Sequence, residues 1–583
     1  MTTVPPTVAD PDPEPDAGAV SVPAPQPHST APETPAPATP ATPATPATDE
    51  PADTAEKAPG SEKTGSSFLA KAALVTAVLS VAGSLLGLVR DQALAHFFGA
   101  GTDTDAFLVA WTVPELAATL LIEDGLAFFL VPAFSLALAR RADGPSAVDP
   151  VRELVRASLP RMTLCFVGTA ALLVAAAPYL VAVLAPGLPD PQLAVDCTRL
   201  TATCALTFGL AGYCSAALRA HQRFVAPATV YVAYNAAIIA ALFALALPLG
   251  VRAAAAGVAV GGVLMVVVQA PSLWRQLRTV PVPEAAPAPK PAGDSPARTL
   301  QTAIIWTVLL FALCRQSQVL IERFLASSLP AGAISHLNYA QKVAQMPMVL
   351  SLMLCTVTFP VVARALADGQ TERARKRVER DLVLAGCMVL LGAAAVIAAA
   401  PPLIQLLFQR GAFTAQDTAA TAAVMRVYSL GLLGHTLVGA LARAHFSVAR
   451  TTWVPLYAMF IGIVTTAGIG FLSVGTWGVY GIAAANATGI CVTALLLLRA
   501  MGPRTVPIRT RAVVGQLARL ALAAAGAAVL GAVCAQRVAG PALAVLASFA
   551  VVTVSFVLLG LLLGAQPWAS VVRSVTRKLR HVR

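Results

Sequence analysis

Charge is what this sequence has least of. Asp, Glu, Lys and Arg make up 12% of the 583 residues, while 57% are hydrophobic. A soluble globular protein carries roughly 25% charged residues, so too little polar surface exists here to cover a water-soluble body. Paired cysteines are also missing. Nine cysteines occur, none spaced C-x-x-C and nearly all inside apolar runs, which suggests no metal site or disulfide framework and reads as helix packing by small residues. No G-x-x-x-x-G-K-[ST] loop, H-E-x-x-H motif or G-x-S-x-G elbow is present, so the sequence offers no nucleotide-hydrolysing, zinc-protease or serine-hydrolase chemistry by those routes. No enzyme activity, metal or cofactor is expected. The net charge of +12 would suit nucleic acid in a soluble protein. Here the cations sit between apolar runs, where topology and anionic lipid head groups account for them, and no nucleic-acid partner is expected.

What the chain does have is long apolar runs. They fall at approximately 69–90, 105–138, 160–185, 197–218, 226–249, 252–273, 300–325, 337–363, 382–406, 420–445, 452–474, 477–499, 512–535 and 541–564. Each is about the ~20 residues that cross a bilayer. The second and eighth carry Pro and polar residues and are expected to bend. Residues 1–66 form a Pro/Ala/Thr-rich tail with repeats such as TPATPATPAT. No apolar face exists there to bury, so the tail is expected to be disordered. The first apolar run begins too far from Met1 for a cleavable signal and is expected to stay as an anchor. Loop cations alternate: Arg140, Arg141, Arg152 and Arg156, then Arg219 and Arg223, then Arg275 and Arg278, then Arg373, Arg375, Lys376 and Arg377, then Arg443 and Arg450 lie on one side. The opposite loops hold little beyond Arg252, Arg410 and Arg537. Positive loops stay inside, which puts both termini in the cytoplasm of a multi-pass plasma-membrane protein.

A repeat is legible as well. Arg219-Ala220-His221 recurs as Arg443-Ala444-His445, and Gly257 and Ala259 recur as Gly481 and Ala483, all 224 residues apart. The expected fold is therefore an all-α polytopic membrane protein of fourteen transmembrane helices. Two six-helix lobes form a parallel pseudo-repeat, with two further C-terminal helices. The lobes run over 67–278 and 299–502, joined by a cytoplasmic linker at 279–298. The last helix pair covers 503–566, and a basic cytoplasmic tail covers 567–583.

Ionisable residues at membrane depth are costly and usually face a cavity or a partner. They gather at Arg90, Asp91, Asp103, Asp105, Glu115, Glu123 and Asp124 in spans one and two, and at Arg315, Glu322, Arg323 and Lys342 in spans seven and eight. These are the first two spans of each lobe, so packing the lobes face to face would line one cavity with both sets. Arg315 and Glu322 are two helical turns apart and share a face. Asp103 and Asp105 sit in a Gly-containing loop and suit capping of the next helix. Glu322 and Arg323 also suit snorkelling at the outer interface. His435 suits a helix-packing hydrogen bond.

Four stretches resemble the MurJ/MviN lipid II flippases of the multidrug/oligosaccharidyl-lipid/polysaccharide exporter superfamily. They are GLVRDQALAHFFGAGTDTDAFLVA at 87–110, EDGLAFFLVPAF at 123–134, NYAQKVAQMP at 338–347 and RGAFTAQDTAATAAVMRVYSLGL at 410–432. The resemblance runs in order from about Ser67 to the end. It implies fourteen helices, alternating access, a central cationic cavity for the diphosphate and sugar-peptide head of lipid II, and a groove for the polyprenyl tail on the last two helices. Lipid-linked glycan and membrane lipids would be its partners, with cell-wall synthesis proteins meeting the N-terminal tail. Arg90 and Asp91 match the family's R-D pair, and Asp105 and Glu123 its acidic positions. Lys342 stands where the family has an Arg.

Departures from the family pattern remove cations and add an acid. Ser84, Ala118 and Thr119 stand where basic residues are common, Glu115 replaces an Asn, and Gln341 replaces an acid. Arg315 is the candidate compensation. Spans 300–316 and 452–474 contain no Asp or Glu, so the sodium site of some family members is expected to be absent. The expected substrate-binding set is Arg90, Asp91, Asp105, Glu115, Glu123, Arg315 and Lys342. The leading reading is a flippase for lipid II or a related polyprenyl-diphosphate glycan. The alternatives are a non-transporting scaffold of cell-envelope machinery and a drug/cation antiporter.

Overall fold

A computed structural model of the chain describes residues 61–123, 125–142, 149–278, 297–349, 351, 362, 368–446, 452–502 and 505–565. Most of the expected tail, linker and basic C-terminus, Asp124, and most of 350–363 lie outside the described residues. Eighteen α-helices follow one another, and no strand occurs among the described residues. The first half holds α1 (Ser61–Phe98), α2 (Thr102–Ala110), α3 (Thr112–Ala117), a π-helical turn (Ala118–Glu123), α4 (Gly125–Ala142), α5 (Pro150–Leu184), α6 (Pro191–Ala202), α7 (Cys204–Ala220), α8 (Val225–Leu249) and α9 (Arg252–Arg278). The second half holds α10 (Ala297–Ala326), α11 (Ala333–Ala344), α12 (Thr371–Ala398), α13 (Ala400–Phe408), α14 (Ala415–Ser429), α15 (Leu432–Phe446) and α16 (Val454–Arg499). Helices α17 (Thr510–Arg537) and α18 (Pro541–Leu562) close the chain.

Local chemistry sets several of these ends. Asp149 accepts the Val151 amide at 3.0 Å and Pro150 follows it, so α5 starts there. Asp190 and Pro191 repeat the device at α6. Thr414 and Asp417 cap α14 reciprocally: the Thr hydroxyl accepts the Asp417 amide at 3.2 Å and the carboxylate accepts the Thr414 amide at 2.8 Å. The expected bend of the second span is present. Its helix breaks at Trp111 and widens into the π-helical turn before α4. Such turns often mark functional sites.

Among the described residues, ten helical stretches are long and apolar enough to cross a membrane, or eleven with the bent pair α14–α15 as one span. The expected fourteen differs in three places. Helix α10 is not among the ten, the 337–363 run is only partly described, and α16 counts once. A straight helix of 46 residues would reach about 69 Å, more than twice the ~30 Å hydrocarbon core. Instead it is two helices meeting at Gly478, with φ 52° and ψ −129°. Gly250, between α8 and α9, adopts φ 58° and ψ −144°. Only glycine tolerates that region, and the second turn lies within four residues of where the 224-residue offset would place the first. The R-A-H repeat behaves alike too: His221 and His445 each bond the carbonyl four residues back, at 2.8 and 2.9 Å.

Within the first half, α8 lies along α9, α7 packs on α9 and α4, and α6 packs on α2. Within the second, α10 and α15 pack on α16, and α12 packs on α17. Lipid is as apolar as leucine, so close packing of small residues drives these contacts. Ala523, Ala524, Ala527 and Ala528 on α17 are buried in the cluster that includes Val552 and Phe556 of α18. The halves meet through α2 with α11 and through α10 with α3 and α5.

At the end where α1 finishes, loops from both halves clasp. The Ala412 amide donates to the His96 carbonyl at 2.9 Å. Gly411 has φ +62°, and a Cβ there would lie 2.3 Å from that same carbonyl oxygen, so the R-G-x-F-T stretch needs its glycine. Asp105 completes the clasp. Its carboxylate accepts the Gly332 amide at 2.7 Å, the Ser335 amide at 2.8 Å and the Ser335 hydroxyl.

Candidate functional site

A cavity of about 570 Å³ opens between the halves. Glu115 and Glu123 come to it from α3 and the π-helical turn, Arg315, Glu322 and Arg323 from α10, Lys342 from α11 and His435 from α15. Gln316, Gln318, Asn338, Gln341 and Gln345 add neutral amides. A rise of 1.5 Å per residue puts Arg90, Arg315 and Lys342 about 12 to 17 Å from the clasped end. That depth is near the middle of a ~30 Å hydrocarbon core.

Of the expected site residues, Glu115, Glu123, Arg315 and Lys342 therefore surround one space. Arg90 and Asp91 stand behind it. The Arg90 guanidinium grips Asp91 Oδ1 at 2.7 and 3.0 Å, and both side chains are only 9% exposed. Lys342 Nζ lies 3.2 Å from the other oxygen, Asp91 Oδ2, so one carboxylate serves two cations and joins α1 to α11. Trp111 lies beneath both, 4.2 Å from Arg90 and 5.9 Å from Lys342 to its ring centre. Asp105 is elsewhere: it sits in the first turn of α2, not in a loop, and caps α11 rather than its own helix. Asp103 is exposed in the same turn.

Glu322 and Arg323 do not snorkel. Both are buried, at 5% and 7% exposure, and turn inward. Arg323 reaches the Thr112 hydroxyl and pairs with Glu115 at 2.9 Å. Glu322 accepts from the Tyr428 hydroxyl and the Asn486 amide. Asn486 Oδ1 lies 3.2 Å from His435 Nε2, which gives His435 the helix-packing bond expected of it. Glu123 accepts from the Tyr231 hydroxyl at 2.9 Å.

Sequence reasoning missed Asn235 and Asn486. Asn235 accepts from Arg90 at 3.2 Å and donates to the Gly83 and Tyr231 carbonyls at 3.1 and 3.0 Å, tying α1 to α8. Each is a lone amide in an Ala-rich apolar helix. That is the available signal, because an unbonded amide at that depth is costly.

The other face of α3 and α10 borders a second chamber of about 680 Å³. Val113, Leu116, Leu320, Phe324 and Phe471 help wall it, and among the described residues Thr112 and Thr169 are its only lining residues with polar side chains. Charged groups thus face one way from these two helices and apolar groups the other.

The fold is shared with solved transporters. A lipid II flippase MurJ in an inward closed conformation superposes with a TM-score of 0.66, covering 86% of this chain and 100% of that one at 16% identity. An inward-facing MATE family multidrug resistance transporter of the MOP superfamily superposes at 0.57, covering 73% of this chain and 96% of that one, also at 16% identity. At that identity the likeness is one of fold. Sequence relatives include the lipid II flippase MurJ of Burkholderia cenocepacia, 29% identical over 452 residues, 74% of this chain and 84% of the relative. A probable lipid II flippase MurJ of Bdellovibrio bacteriovorus is 26% identical over 78% of this chain and 86% of its own length. The profile described as lipid II flippase MurJ matches residues 94–555, which carry the second half, the first half from the end of α1 onward, the clasp and the residues lining the cavity, and the chain belongs to that family.

Proposed function

We propose that the chain carries lipid II, or a closely related polyprenyl-diphosphate glycan, from the inner to the outer leaflet by alternating access, for cell-wall synthesis. The observation that carries this reading is the polar cavity at mid-membrane depth, walled by both halves and closed at one end by the clasp. A diphosphate head cannot cross hydrocarbon bare. The cavity offers it cations and amides while the lipid tail stays in the bilayer. Arg90, Asp91, Glu115, Glu123, Arg315 and Lys342 form the head-group chamber and its backing, and Asp105 belongs to the gate. Both termini lie in the cytoplasm, supported by the alternation of loop cations, so the clasped end faces outward and the head enters from inside. The lobes at 67–278 and 299–502 rock about the cavity, and α17 and α18 guide the tail. The N-terminal tail at 1–66 is the segment assigned to meeting cell-wall synthesis proteins.

Rescue of a bacterial strain depleted of its own lipid II flippase tests the reading. Growth with normal shape is the expected result. Failure to rescue, with the protein abundant in the membrane, refutes it. The scaffold reading draws on one specific observation. Four cations (Arg90, Arg315, Arg323, Lys342) meet four carboxylates (Asp91, Glu115, Glu123, Glu322) in and behind the cavity. A scaffold would give no rescue and no flipping of lipid II in proteoliposomes.

A further inference from the structure

Three of the four cations in and behind the cavity are already taken. Arg90 and Lys342 share Asp91, at 2.7 and 3.2 Å. Arg323 pairs with Glu115 at 2.9 Å and also donates to the Thr112 hydroxyl. Arg315 differs. It is exposed to the cavity and, among the described residues, makes no ion pair within 4.0 Å. The two carboxylates without a cation are occupied otherwise, Glu123 by Tyr231 and Glu322 by Tyr428 and Asn486.

An anion entering this space therefore meets unequal cations. To reach Lys342 or Arg90 it must displace Asp91, leaving a buried carboxylate uncompensated, which is strongly unfavourable. To reach Arg323 it must displace Glu115. Binding at Arg315 breaks nothing. The guanidinium is planar and presents paired N–H groups that match two phosphate oxygens at once, which an ammonium does not. Its neighbour Gln318 on the cavity wall is neutral and carries amide donors, while the Gln316 amide already donates to the Thr119 hydroxyl at 3.1 Å.

We propose that Arg315 is the residue that takes the anionic diphosphate group of the cargo, and that Arg90 and Lys342 are a reserve pair, engaged only when Asp91 is displaced. This rests on the flippase reading for the identity of the cargo, but the anion site itself does not.

The test uses the full-length chain in nanodiscs, with inorganic pyrophosphate as the probe and calorimetry as the readout. Arg315→Gln is expected to weaken pyrophosphate binding about tenfold or more, the range for a charge-assisted pair. Arg315→Lys is expected to recover part of that loss. Asp91→Asn is expected to tighten binding several-fold by freeing the reserve pair. Arg252→Gln, in a surface pair with Asp196, is the control and should bind as the wild type does. A second measurement needs no variant. An arginine-selective dicarbonyl should modify Arg315 in the wild-type chain, and pyrophosphate should protect it, as read by peptide mass spectrometry. Unchanged binding by Arg315→Gln overturns the proposal, as does absence of protection or a wild type that binds no pyrophosphate. Weakened binding by Asp91→Asn overturns the reserve role. Parallel flipping assays with fluorescent lipid II separate the two ideas. Arginine-dependent pyrophosphate binding without flipping keeps the site and removes the cargo.

Discussion

Removing Asp105 should release the clasped end. Its carboxylate accepts three hydrogen bonds from the other half, two of them from backbone amides at the N-terminus of α11, that of the N-cap Gly332 and that of Ser335. That helix has no cap of its own, because its N-cap is Gly332. Asp105→Ala leaves those amides without a partner at a site only 3% exposed in the wild type. Each orphaned buried donor costs ~1–3 kcal/mol, and loss of a helix cap alone costs ~0.5–2 kcal/mol. Allowing for water entering the gap, the closed arrangement should lose about 3 kcal/mol, or about a hundredfold in its equilibrium with an open one. Asp105→Asn keeps one acceptor and should lose about 1 kcal/mol, roughly fivefold. Spin labels at Asp103 and Gln416, both exposed and on opposite halves, would report the change in a cysteine-free background. The expected result is a longer, broader distance distribution for Asp105→Ala, with Asp105→Asn between it and the wild type. A folded Asp105→Ala protein whose distances match the wild type would refute the idea that this cap holds the end shut.

Three other outcomes follow from the geometry. Gly478→Ala forces a side chain into φ 52°, ψ −129°, at a cost of ~1–3 kcal/mol, and should lower the melting temperature in detergent; Gly468→Ala, with open space at its Cβ position, should not. Trp111→Ala removes the ring 4.2 Å from Arg90 and should destabilise the protein by ~1–2 kcal/mol beyond its packing loss, with Trp111→Phe intermediate; equal melting of the two variants would count against a cation–π role. Glu322→Ala strands the Tyr428 hydroxyl and the Asn486 amide and should cost ~2–3 kcal/mol, whereas Glu322→Gln, which keeps an acceptor, should cost about half as much by thermal unfolding.

The sequence carried the long-range order of the fold better than its contacts. Apolar runs located the helices because hydropathy is a local property, and the bend at Trp111 follows from Pro114 and the polar residues around it. The R-A-H repeat pointed to two halves, and the two histidines do bond alike. Glu115, Glu123, Arg315 and Lys342 were legible as a group because charge at membrane depth stands out against its neighbours. Their partners were not. Asp105 was legible as a cap, but its helix lies 227 residues away, and one-dimensional spacing cannot reveal that. Helical periodicity put Glu322 and Arg315 on one face, yet nothing in it told an inward Arg323 from a snorkelling one. That depended on Glu115 and Thr112, brought there by another helix.

The two-sided character of α3 and α10 has a mechanical consequence. The wall that bounds the charged chamber also bounds the greasy one, with Arg315 and Glu322 on one side and Leu320 and Phe324 on the other. A tilt of α10 cannot enlarge one space without squeezing its neighbour. On the flippase reading, the helix would be a shared piston: arrival of a polar head in one compartment would change the volume left for hydrocarbon in the next.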